Sequence, residues 1–280
     1  MIKILGSFKI VPDLDLLAEE DWIADEKNRV DVSYVKTMWN CFDESALEMM
    51  LKLSDNSESF GIELQLDAVT VGGERCESYL KTLHALGFDK AVRIECQEEL
   101  QFWPEMTAGL ITEYVSRIGG QNVIMMGRQS ADGDNGKTPL LAAEQLGWPC
   151  ITQVIGIEPV DEEYLKITNM VDGGVCTQVV RVPFVLSVGD APCSYLRVPT
   201  LKDRMQRGKR PIDVYTMAEL GVNSRFRDIE QRAVLRCLEP VNRDREGIVI
   251  EGDTVQEKAA VLYRDYLKGR LMKVERNFQP

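Results

Sequence analysis

The sequence predicts an open α/β fold with a mostly parallel, Rossmann-like sheet, an antiparallel extension and a C-terminal arm. Two patterns carry that prediction. Short apolar runs alternate with longer stretches of helical periodicity, and glycine, proline or polar residues punctuate the joints. Strands separated by helices pair in parallel through right-handed crossovers, so helices cover both faces of a buried sheet. Ligands of such sheets bind where strands end and helices begin, because helix N-termini there present free N–H groups and positive dipole ends.

Strands are expected at residues 2–11, 64–71, 91–94 and 122–126, each apolar or rich in β-branched residues. Helical spacing follows at 43–53, which puts Ala46, Leu47, Met50 and Leu51 on one face, and again at 76–86, 104–117 and 138–146. The middle region changes character. Strands are expected at 152–158, 165–170, 175–182 and 184–188, joined by turns such as Val171-Asp172-Gly173-Gly174, so at least one antiparallel hairpin extends the sheet. Between 200 and 210 the chain becomes basic, with Lys202, Arg204, Arg207, Lys209 and Arg210 in close succession. Beyond about residue 223 it is highly charged, with weak apolar patterning until 254–267. Residues 1–222 are therefore expected to form the α/β domain and 223–280 an arm.

Bulk properties narrow the function. The 280 residues suffice for one large α/β domain plus an extension, and 44% hydrophobic with 28% charged content is that of a chain that folds. A net charge of -12 argues against binding nucleic acid or anionic membranes, which need a surplus of Lys and Arg. No apolar run approaches the ~20 residues that span a bilayer, and no small-residue cleavage site follows the apolar start, so a cytoplasmic location is expected. The seven cysteines include no CxxC pair and are expected to be buried free thiols. His84, the single histidine, lies in an apolar helical pattern and is expected to be structural.

The most informative stretch is Gly127-Arg128-Gln129-Ser130-Ala131-Asp132-Gly133-Asp134-Asn135-Gly136-Lys137-Thr138, between an apolar strand and a helix. A strand, a small-residue loop and a helix start seat a phosphate on backbone amides. Arg128 and Lys137 offer charge, while Ser130, Asn135 and Thr138 offer short hydrogen-bonding groups. The stretch is not a Walker motif, since Ala131 stands where its first glycine would be. An acidic turn with a helix cap has the same composition, and spacing alone does not separate the two. Asn40 or Asp43 is placed to cap the helix that follows Trp39, and Gly72-Gly73 closes a strand where a close approach is tolerated.

Jointly these segments resemble the β subunit of the electron-transfer flavoproteins. Lys9-Ile10-Val11-Pro12-Asp13 is similar to that family's Lys-x-Val-Pro-Asp, and the segment from Asn40 to Glu48 to its Asn-Pro-Phe-Asp-x-x-Ala-x-Glu. The stretch from Thr70 to Val92 and the loop from Gly127 to Thr138 resemble its third strand and nucleotide loop. Later matches are Asp172-Gly173-Gly174, Val198-Pro199-Thr200 and Ala218-Glu219-Leu220-Gly221-Val222. The resemblance implies that this chain binds AMP or FAD. The implied site comprises Ser7, Lys9, Asn40, Cys41, Phe42, Asp43, Val71 and every residue from Gly127 to Thr138, with no catalytic residue and no metal. It also implies a heterodimer with an FAD-bearing α subunit on which the arm packs. Residues 198–211 would recognise an acyl-CoA-type dehydrogenase through Val198, Leu201, Lys202 and Arg204. Cys41 stands where the family usually has proline, and Lys137 where many members have glutamine. Two other classes remain open: an α/β enzyme that hydrolyses or transfers nucleotides with magnesium held by Asp132 and Asp134, and a nucleotide-sensing module.

Overall fold

The computed structural model describes residues 1–96, 99–192, 195–221, 235–239 and 247–271. The first apolar run is split. β1 (Ile2–Ser7) ends where Lys9 turns its amide away from the sheet, and β2 (Ile10–Pro12) pairs antiparallel with β3 (Thr37–Trp39) in a separate two-stranded sheet. The single strand expected at 2–11 is thus two strands with different partners.

The main sheet has nine strands. β4 (Leu64–Val71), β5 (Lys90–Glu95), β6 (Val123–Gly127), β10 (Phe184–Val188) and β7 (Cys150–Pro159) join β1 in parallel, with β11 (Asp213–Thr216) on the edge beside β5. β8 (Tyr164–Val171) and β9 (Gly174–Arg181) extend it antiparallel from β7. The order is β11-β5-β4-β1-β6-β10-β7-β8-β9, a mostly parallel Rossmann-like sheet with the expected antiparallel extension.

Residue parity along the strands builds two cores. Ile4, Leu66 and Met125 face Leu47 and Met50 of α1 (Cys41–Ser59) and Leu80 and Leu83 of α2 (Glu77–Leu86). On the opposite face, Leu5, Val69, Ile94 and Ile124 meet Leu110 and Ile111 of α3 (Pro104–Tyr114) and Ala142 and Ala143 of α4 (Thr138–Leu146). A Cβ at Gly6 would lie 2.7 Å from Leu47 Cδ2 and 2.8 Å from Met50 Sδ, so this glycine lets α1 sit close on β1. Helix α1 runs further than the apolar stripe at 43–53: its later turns are mostly polar and exposed, while buried Ser57 donates its Oγ–H back to Leu53 O at 2.7 Å.

Two elements in the basic stretch and beyond it carry no apolar pattern. Helix α5 (Leu201–Gln206) begins at Thr200, whose side chain accepts from Asp203 N, and β11 is a four-residue edge strand. Buried His84 lies between Phe88 O (3.2 Å) and Pro211 O (3.1 Å), which ties the end of α2 to the segment leading into β11. Among the described cysteines only Cys76 is buried. Cys41 and Cys237 are exposed and Cys96, Cys150 and Cys176 half-buried, so the expectation of buried thiols fails at these positions; Cys41 is exposed because it opens α1. Cys193 lies outside the described residues.

The chain divides into two compact units, Met1–Leu238 and Glu239–Pro280. Residues 223–234, 240–246 and 272–280 of the expected arm lie outside the described residues. The second unit contains a helix at Val255–Val261 that continues as a wider turn over Leu262–Leu267, nearly all of it exposed. No helix among the described residues is long and apolar enough to cross a membrane.

Leu47→Ala is expected to leave a cavity between α1 and the centre of the sheet, since Leu47 is fully buried there. The expected loss is about 2–5 kcal/mol, seen as a lower urea midpoint at unchanged slope. A shift well under ~1 kcal/mol would contradict the packing described.

Candidate functional site

The strand order reverses direction between β1 and β6: the chain proceeds from β1 outward to β4 and β5, then returns to β6 and moves the other way. The loops at the carboxyl ends of these two strands diverge and leave a crevice. A cleft with about 750 Å³ of empty space, its open mouth included, lies there. Ser7, Phe8 and Lys9 line it after β1, Val71 at the end of β4, and Asn40 and Asp43 at the start of α1. Met126, Gly127, Arg128, Gln129 and Ser130 line it at the end of β6, and Asn135, Gly136, Lys137, Thr138 and Pro139 at the start of α4.

Asp43 holds these segments together. One carboxylate oxygen accepts from Lys9 N (2.9 Å) and Asn40 Nδ2 (3.0 Å), and the other from Gly127 N (2.7 Å). The side chain that local sequence suggests as a helix cap is used instead to join the ends of β1 and β6 to α1. Asn40 Nδ2 also donates to Gln129 O at 2.8 Å. No N-cap side chain bonds the first turns of α1, α3 or α4, and Pro104 and Pro139 there carry no N–H to satisfy. Gly127 is required by this arrangement: a Cβ there would come within 2.7 Å of Asp43 N and 2.6 Å of Phe42 Cβ.

The loop before α4 is pinned by side chains that themselves line the cleft. Lys9 Nζ pairs with both Asp132 oxygens at 2.8 Å. Gln101 donates to Asp132 O, and Asn135 Nδ2 donates to Gln101 O at 2.7 Å. Asp134, with φ 47, and Gly136, with φ 61, make the left-handed bends that bring the loop into α4. Ala131, Asp132, Gly133 and Asp134 do not line the cleft, and neither do Cys41 and Phe42. Arg128 lines it, but its guanidinium stacks 4.5 Å over the Phe42 ring and reaches Gln153 (3.3 Å) and Asp190 (3.6 Å). Among the described residues no group of three or more His, Cys, Asp or Glu side chains is placed to hold a metal ion.

The electron transfer flavoprotein domain model matches residues 30–220. A provisionally named electron transfer flavoprotein subunit of Escherichia coli K12, YgcR, is 33% identical over 96% of this chain and 99% of its own length. The mitochondrial electron transfer flavoprotein β subunit of Arabidopsis thaliana is 28% identical over 89% of this chain and 93% of its own. The electron transfer flavoprotein β subunit of Dictyostelium discoideum is 28% identical over 80% of this chain and 84% of its own. The chain belongs to the electron transfer flavoprotein β-subunit family. Membership makes electron transfer, within a flavoprotein, its function at the level of the family.

In this electron transfer flavoprotein chain, sequence reasoning missed one wall of the cleft. Leu100 and Gln101, with Pro104, Thr107 and Ile111 on α3, complete it. They follow β5, and the rule that singled out the loop after β6, a strand end leading into a helix, applies there equally. The loop after β5 lacks the glycine and asparagine composition that marks the one after β6.

Burial pushes the Asp43 carboxyl up to about 6, against the lowering effect of its donors Asn40, Lys9 N and Gly127 N and the charge of Lys9. The folded chain therefore holds this proton more tightly than the unfolded one. Its contribution to stability is complete below the unfolded value near 3.8 and is lost as pH rises through about 6. Wild type should lose roughly 3 kcal/mol relative to Asp43→Asn over that interval. Asp43→Asn should be the less stable of the two at every pH, because its amide N–H₂ faces the donors Lys9 N and Asn40 Nδ2. Urea titrations of both proteins between pH 4 and 7 test this, and parallel pH profiles would contradict it.

Proposed function

We propose that this chain is the β subunit of a cytoplasmic electron transfer flavoprotein and binds an adenine nucleotide, AMP or FAD, in the cleft between β1 and β6. It pairs with an FAD-bearing α subunit, on which residues 223–280 pack, and the complex carries electrons between acyl-CoA-type dehydrogenases and other redox partners. The observation that carries the reading is the convergence of loops from β1, β4 and β6 and the uncapped starts of α1 and α4 on one cleft at the switch point of the sheet.

The residues fit an adenine nucleotide. Val71, Leu100, Pro104 and Ile111 offer an apolar wall for a flat base. Gly136 and Thr138, with the first amides of α4, offer N–H groups to phosphate, and exposed Lys137 adds positive charge beside them. The buried Asn40 Oδ1 has no hydrogen-bond partner and is a ready acceptor for a ribose hydroxyl. Asp132 is paired with Lys9, which offsets the repulsion that a free carboxylate would exert on phosphate. A flavin, where bound, supplies the redox chemistry, and this chain binds and orients it. Val198 and Leu201, 80% and 75% exposed, with Lys202 and Arg204 beside them, form the surface that meets a dehydrogenase.

Co-expression with the α subunit should give a yellow heterodimer, and heating it should release AMP or a second equivalent of FAD; a colourless chain that purifies alone without nucleotide would contradict the reading. Within that complex, Gly136→Val should lose the nucleotide while remaining folded, because φ 61 is strained for a β-branched residue although the nearest heavy atom to its Cβ, Arg128 O, is 3.8 Å away. Lys137→Gln should weaken binding only mildly, by about tenfold or less for one exposed charge. Equilibrium binding of AMP and FAD to both variants checks the pair, and wild-type affinity in folded Gly136→Val would place the nucleotide elsewhere.

A further inference from the structure

The exposed segment that leads into α5 is fastened to α1 by a single arginine. Arg197 Nε and Nη2 bind both oxygens of Glu48 (2.9–3.2 Å), and Arg197 Nη1 binds Asp55 at 2.7 Å. The backbone is held as well, with Arg197 N donating to Glu48 Oε2 (2.9 Å) and Leu196 N to Glu44 Oε1 (3.1 Å). Glu48 is buried, its side chain 6% exposed, so this is a bidentate pair shielded from water on one side. Glu44, Glu48 and Asp55 fall on one side of α1 at spacings of four and seven residues.

What this clamp presents is apolar and solvent-facing. Tyr195, Val198, Leu201 and Met205 are 81%, 80%, 75% and 60% exposed, while their neighbours Lys202, Arg204 and Arg207 are basic in a chain of net charge -12. Behind the segment a groove runs between it and α2, walled by Leu196, Val198 and Pro199 on one side and Trp39 and Tyr79 on the other. Segment 195–199 has no helix or strand of its own to stiffen it. Its geometry therefore rests on its attachments, and a surface ordered before contact loses less conformational entropy on binding.

We infer that Arg197 is a positioning residue: by clamping residues 195–199 to α1 it fixes in advance a docking surface for a protein partner that offers an apolar recess with an acidic rim. The inference rests on the reading of the chain as an electron carrier that meets a dehydrogenase, and adds how the meeting surface is held. Arg197 does not line the nucleotide cleft, and its guanidinium is committed to Glu48 and Asp55 of α1. Its loss should weaken encounter without altering the transfer step.

The test uses the whole heterodimer and a purified acyl-CoA dehydrogenase reduced with its acyl-CoA substrate. Arg197→Ala should raise KM for the dehydrogenase about tenfold, leave kcat and bound nucleotide unchanged, and speed amide exchange at 195–206. Asp55→Asn removes only the exposed half of the clamp and keeps Glu48 paired, so it gives a smaller rise in KM even where Arg197→Ala does not fold. Arg197→Lys should recover part of the loss, since one ammonium replaces a bidentate fork. Unchanged KM in folded Arg197→Ala, or in Asp55→Asn where the alanine variant fails to fold, would overturn the inference. So would an equal fall in kcat. A wild-type complex that accepts no electrons would instead overturn the reading of function and the inference with it.

Discussion

The site depends on where the Asp43 carboxylate spends its hydrogen bonds. Three N–H donors from three loops converge on it: Lys9 after β1, Asn40 before α1 and Gly127 at the end of β6. Those loops diverge by topology, because β1 and β6 send the chain in opposite directions. A buried acceptor that satisfies donors from each side keeps the crevice at a fixed width, and it does so at a cost, visible in the carboxyl held up to about 6 by burial. Gly127 follows from the same constraint, since any side chain there would occupy the space Asp43 needs.

Helix α1 carries this constraint outward. Its first turn supplies Asp43 to the cleft, its apolar stripe locks onto β1 and β6 through Leu47 and Met50, and its polar side supplies Glu44, Glu48 and Asp55 to residues 196–197. One rigid element thus sets both the nucleotide cleft and the exposed segment beside α5. The cleft is joined by buried Asp43 and the outer face by buried Glu48. Toward water the outer face adds Glu44 and Asp55, so a carboxylate row and one guanidinium hold residues 196–197.

Much of this was legible in the sequence. The strands at 64–71 and 184–188 and the helix at 138–146 match their observed bounds, because apolar periodicity and sharp punctuation act locally there. The loop from Gly127 to Thr138 announced itself by composition, and the ordered motifs led to the right family. What stayed hidden was non-local. The break at Phe8 and Lys9 comes from a carboxylate 34 positions away, β11 is an edge strand with no apolar run, and α5 rests on the Thr200 and Asp203 cap within a stretch that reads as basic loop. Arg128 has the charge for phosphate, but its stacking on Phe42 and its contact with Asp190 are set by tertiary neighbours no local pattern shows. Gln101 and the α3 wall join the site only through strand order.

Amide hydrogen exchange in the heterodimer, stripped of nucleotide and then reloaded with AMP, tests most directly the claim that the crevice between β1 and β6 is the nucleotide site. The account predicts that protection on loading concentrates at residues 135–138 and Leu140, where the cleft-lining loop meets the start of α4. Protection confined to the β8–β9 hairpin or to the helix at Val255–Val261, with these amides unchanged while AMP is bound, would contradict it.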